Sequence, residues 1–187
     1  MNLHRNTVRI TTGAIAGLAI VGGVLATATY AEPSSPETSS PRVTTVTAVE
    51  DDDVATGRTL PSDAVSAVLA AAQDAADERG VRVTVAVVDR AGNTIGLLKD
   101  EGAGPQTAQS AIDKAFTAVS FGQATGDLGK AASGNKPNIG DIPGTLFLPG
   151  GVPVTFEDAP IAGVGVGGAP DGAIDEEIAS AAIAALG

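Results

Sequence analysis

The stretch PGTLFLPGGVPVTFEDAPIAGVGVGGAP, residues 143–170, decides how the second half of the chain is built. It holds Leu146, Phe147, Leu148, Val152, Val154, Phe156, Ile161, Val164 and Val166, with glycine and proline between them at short intervals. Val152 to Phe156 and Ile161 to Val166 read as two short strands joined by the turn Glu157-Asp158-Ala159-Pro160. A further strand is expected near Thr145 to Leu148. Gly163, Gly165, Gly167 and Gly168 leave one face of the last strand without side chains. Another backbone, a packed helix or a flat ligand can therefore approach it closely.

Working outward, Ser62 to Arg79 reads as a helix, with Val65, Val68, Leu69, Ala72 and Ala76 on one stripe and Gly80 as its stop. Val81 to Asp89 reads as a strand. Val81, Val83, Val85 and Val87 alternate onto one face and Val88 adds to the other. Arg90-Ala91-Gly92-Asn93 makes a turn into a return strand, Thr94 to Lys99. Beyond the loop Asp100 to Gly104, Pro105 opens a second helix. Ala108, Ala111, Ile112, Ala115, Phe116 and Val119 form its apolar stripe, and Ser110, Asp113, Lys114, Thr117 and Ser120 its polar side. A short helix over Thr125 to Ala132 and an Ala-rich helix over Asp171 to Leu186 complete the set. Asp171, Asp175, Glu176 and Glu177 complement the dipole of the last helix. This order predicts an α+β fold: a five-stranded, mainly antiparallel sheet flanked by helices in an α/β/α sandwich.

The chain has 187 residues, and 43% of them are hydrophobic but only 3% aromatic. Its core must be made of small side chains and close backbone packing. Residues 1–31 read as a cleavable signal peptide: Arg5 and Arg9 precede an uncharged run from Ile10 to Thr29, and Thr29-Tyr30-Ala31 offers small residues at the cleavage site. A retained membrane anchor is the other reading, since about 20 apolar residues span a bilayer. Residues 32–58 are rich in Pro, Ser, Thr and acid and read as a disordered linker. The domain proper is then 59–187. A secreted, extracellular location follows from the leader.

Loss of Arg5 and Arg9 takes the formal charge from −11 to −13. That balance excludes nucleic acid as a partner and excludes a polybasic membrane patch. The leader also contains His4, Met1 and Tyr30, each the only residue of its type, and the chain has no Cys or Trp. A mature chain without His, Cys, Met or Tyr cannot build a Ser-His-Asp or Cys-His triad or the usual zinc sites. Asp74, Asp77 and Glu78, spaced i, i+3 and i+4, share a helix face and suit a hard cation such as ferric iron, or form a solvated acidic face.

PGTLFLPGGVPV, the Gly-Val-Gly-Val strand and the acidic helix start Asp175-Glu176-Glu177-Ile178-Ala179 resemble the GlcG/HbpS family of haem-degrading domains. VVDRAGNTIGLLKDEGAGPQTAQSAIDKAFTAVSF extends the likeness upstream. It runs from about Leu60 to Gly187. The resemblance implies haem as cofactor, slow peroxide-linked haem degradation, and iron or cobalamin binding among relatives. It also implies a secreted homo-oligomer, an octamer, that in some cases signals to a membrane sensor histidine kinase. A simple oligomeric signalling module, or a carrier of another flat cofactor, fits the same likeness. In the family setting KAFTAVSF nominates Thr117 for the haem iron, with Thr125 behind it. Lys114 is nominated to meet a propionate, or else to pair with Ser110 or stand in solvent. Phe121, and less so Phe116, would touch the porphyrin. Since the ordinary axial ligands are His, Cys, Met and Tyr, the iron would rest on oxygen or amine donors.

Overall fold

A computed structural model describes residues 50–53, 57–129, 131–133 and 137–187. The leader and most of the linker, residues 1–49, lie outside the described residues. Helix α1 spans Ser62–Glu78, strands β1 and β2 span Thr84–Asp89 and Thr94–Lys99, and α2 spans Thr107–Phe121. A one-turn α3 at Thr125–Leu128 follows, then β3 at Gly151–Phe156, β4 at Ala159–Gly167 and α4 at Gly172–Ala184.

The sheet has four strands in the order β2-β1-β4-β3, each pair antiparallel. Val83, Val85 and Val87 face α1 and α4, where Val68, Val164, Val166 and Ile178 close the larger core. Ala86 and Val88 face the other way, onto Ala111, Ala115 and Val119 of α2. Helices therefore cover both faces, and the valine alternation read from the sequence sets which face is which. Each fully buried Val contributes roughly 1.5–3 kcal/mol.

The glycines of β4 are where α2 sits. A Cβ at Gly165 would run into the carbonyl of Ala111, and one at Gly163 into that of Ala115. Of the approaches that the bare strand face allows, the occupant is a helix backbone.

The expected fifth strand is absent among the described residues: Thr145 to Leu148 is irregular. Its backbone groups go to side chains of the helices rather than to a neighbouring strand. The Leu146 N–H donates to the Thr117 hydroxyl at 2.8 Å, and the Leu148 carbonyl accepts from Thr125 at 2.7 Å. Glycines with positive φ at 144 (78°) and 150 (126°) turn the chain at either end. The β3–β4 turn is tighter than expected. Its two central residues, Glu157 and Asp158, have positive φ, 50° and 63°, as a two-residue turn matched to strand twist requires. Pro160 and Ala159 already belong to β4.

Candidate functional site

Of the residues nominated from sequence, Lys114, Thr117, Phe121 and Thr125 gather around the 145–150 segment, and all but Phe121 are buried. Lys114 lies on the supposed polar side of α2, yet its side chain is 5% exposed. Its Nζ donates to Asp175 Oδ2 at 2.8 Å and to the Val166 carbonyl at 2.9 Å. Ser110, its expected neighbour, donates instead to the Thr107 carbonyl. Asp175 is thus more than a complement to the α4 dipole: it is the buried counter-ion of Lys114, and its Oδ1 accepts from the Ala169 N–H. Small neighbours make room for the ammonium. A Cβ at Gly150 would lie 2.7 Å from Nζ.

Thr117 is fully buried. Its hydroxyl donates to the Asp113 carbonyl at 2.7 Å and accepts from Leu146. Thr125, also fully buried, donates to Leu148 and accepts from the Gly151 N–H at 2.8 Å. The two threonines clasp the 145–150 segment onto the body. Glu176 adds a third clasp, accepting from the N–H groups of Gly126 and Gly150. Phe121 is half-buried and meets Phe147 of the same segment edge-on, ring centres 5.6 Å apart. Phe116 packs against the smaller core.

Beside these clasps lies a cleft of about 370 Å³, lined by Gln106, Thr107, Ser110, Leu148, Pro149 and the 167–170 backbone, with Lys114 and Asp175 in its wall. Thr107 is tied at 2.6 Å to Thr84, so one wall is fixed by a buried hydroxyl pair. The cleft sets the apolar Leu148 and Pro149 opposite the hydroxyl-bearing Thr107 and Ser110.

Asp74, Asp77 and Glu78 are exposed on α1. Asp77 is engaged by Arg82 at 2.6 Å. Among the described residues no group of three or more His, Cys, Asp or Glu is placed to hold a metal ion.

With this architecture in place, residues 60–184 match the model of the haem-degrading protein HbpS-like family. The chain belongs to the HbpS-like family. A crystal structure of HbpS is 48% identical, with 75% of this chain and 99% of that one aligned and a TM-score of 0.72. A double mutant of the Streptomyces reticuli HbpS gives 47%, 79%, 99% and 0.72 in the same measures. More distant at 26% identity is a PduOC–haem complex, aligned over 68% of this chain and 95% of that one with a TM-score of 0.64. Among functionally curated proteins none matches. The HbpS-like similarity begins two residues before α1, so it spans every helix and strand described above.

Several contacts of this HbpS-like domain escape sequence reading. Asp175 and Glu176 are explained on sequence grounds by the helix dipole, and nothing local marks them as partners of Lys114, 61 positions away, and of Gly126, 50 positions away. The one available hint is Lys114 itself, a lysine set between the buried-stripe alanines Ala111, Ala115 and Ala118.

Proposed function

We propose that this domain binds haem weakly and supports its slow, peroxide-dependent degradation, with the iron held by oxygen or amine donors. The observation that carries the reading is the HbpS-like match over residues 60–184. The chain's own donor set supports it: beyond Tyr30 the sequence contains no His, Cys, Met or Tyr. Hard donors hold iron porphyrin loosely and leave it exchangeable. Bound haem supplies the redox-active iron with which peroxide reacts.

The protein's part is to receive the ring and limit solvent around it. Thr117 is the hydroxyl nominated for the iron, and its single remaining lone pair is enclosed beneath Leu146. Coordination there requires the 145–150 segment to lift from its threonine clasps. Phe121 then loses Phe147 as a partner and offers its ring to the porphyrin. Ferric iron at Asp74, Asp77 and Glu78 would have to displace Arg82 from Asp77. Export through residues 1–31, assembly into a homo-oligomer and docking on a membrane sensor kinase belong to the same proposal.

The test is to incubate hemin with the protein and hydrogen peroxide, following Soret decay and free iron against protein-free hemin. The reading requires saturable, protein-dependent decay with iron release. Decay identical to that of free hemin removes the degradative role.

A further inference from the structure

A groove crosses the end of the sheet where the β1–β2 and β3–β4 hairpins turn. Three adjoining concavities of about 370, 350 and 400 Å³ share Gly57 and Arg58. One wall is apolar: Phe156 is 47% exposed, with Pro160 and Ile161 half-buried beside it. Such a wall next to fixed cations suits a ligand that is flat and apolar on its face and anionic at its edge.

Two guanidinium groups supply the cations. Arg58 lies 4.2 Å over the centre of the Phe156 ring, so ring and cation form one platform. Its Nη1 meets Glu157 at 2.9 Å, but the two side chains are 59% and 71% exposed. A pair so open to water is weak and readily exchanged for another carboxylate. Arg90 donates to the Val119 carbonyl at 2.9 Å, and among the described residues no carboxylate forms an ion pair with it. The adjacent Asp89 is turned into its own hairpin, where it accepts from Ala91 and Asn93. In a chain of formal charge −11, a dianionic ligand is repelled at range and is held only where local cations offset that repulsion.

We propose that this groove docks the carboxylate edge of a porphyrin, Arg58 and Arg90 pairing with its carboxylates while Phe156, Pro160 and Ile161 lie against one face. The guanidinium fork matches a carboxylate with two parallel hydrogen bonds. The proposal rests on the haem reading above and adds a docking step that needs no iron. It places the ring's carboxylates at the hairpin end, away from the Lys114–Asp175 pair, whose charges already satisfy each other.

The experiment titrates the full chain with hemin, with metal-free protoporphyrin IX and with its dimethyl ester, read by Soret absorbance and porphyrin fluorescence. Both free-acid porphyrins should bind, and the Arg58→Gln/Arg90→Gln chain should bind each about tenfold more weakly or worse. The dimethyl ester should show a similar deficit. Glu157→Gln, which releases Arg58, should tighten binding. Melting curves by circular dichroism verify that these exposed substitutions leave the fold intact. Hemin binding unchanged in the double variant overturns the groove and leaves the haem reading standing. Hemin binding without any binding of the metal-free ring puts the affinity on the iron and overturns the groove as well. Failure of the unaltered chain to bind either porphyrin overturns both.

Discussion

The ammonium of Lys114 lies 2.8 Å from the carboxylate of Asp175, each side chain 5% exposed, and the pair ties the middle of α2 to the first turn of α4 across the end of β4. Removal of one partner strands the other charge in the interior. Lys114→Met should therefore lower stability by about 3–5 kcal/mol in urea unfolding. Lys114→Met combined with Asp175→Leu should recover much of that loss. A double variant no better than the single one would mean that the pair does not act as a unit.

Close approach of α2 to β4 makes a second prediction. Gly165→Ala pushes a methyl group into the Ala111 carbonyl, and neither backbone has a flexible end to yield. A loss of at least about 1–3 kcal/mol follows from overpacking. Gly57→Ala meets nothing within 4 Å and serves as the control. Thermal melts of the two variants should separate clearly.

The clasp at Thr117 is testable by paired substitutions. Thr117→Val keeps the shape but leaves the Leu146 N–H without its acceptor, at a cost of about 1–3 kcal/mol. Thr117→Ser keeps the hydroxyl and should lose less. Amide hydrogen exchange at Leu146 should quicken in the valine variant and stay slow in the serine one.

Acid sensitivity has a defined local component. Hydrogen bonds from the Asn93 side chain, together with the backbone of Asn93, Ala91 and Gly92, hold the Asp89 carboxyl below its ordinary value of 3.8, against a smaller opposing effect of burial. The folded value is the lower one, so this stabilisation is complete above 3.8 and is lost as pH falls through the folded value. Asp89→Ala should be less stable than the unaltered chain near neutrality, and the gap should narrow on acidification from about pH 5 to about pH 2. A gap that is constant over that range would assign the effect to packing alone.

Much of this architecture is legible in residue order because periodicity and punctuation report local preference. The valines at 83, 85 and 87 mark one sheet face, and the glycines at 163 and 165 mark where a helix backbone must fit. The segment 145–148 misleads because Thr-Leu-Phe-Leu has strand composition, while its hydrogen bonds are claimed by Thr117 and Thr125, distant in sequence. Lys114 misleads for the same reason. Helical spacing places it on a polar stripe, yet its own side chain is enclosed against Asp175 and the Val166 carbonyl rather than standing in water. Asp100 is read as loop, and its carboxylate is buried on the Val83 N–H. Long-range polar pairings of this kind leave no periodic trace. The groove at Arg58 and Arg90 is likewise assembled from separate turns, and neither arginine has a distinguishing local context.

The central claim is that this domain holds haem without histidine, cysteine, methionine or tyrosine. The direct measurement is a hemin titration of residues 32–187, followed in the Soret region. The account predicts a saturable shift of the Soret band, replaced by the spectrum of imidazole-ligated hemin when imidazole is added, from a chain containing none of those four side chains. A spectrum that remains the sum of protein and free hemin at every ratio, or a shift that appears only when His4 is present, would contradict it.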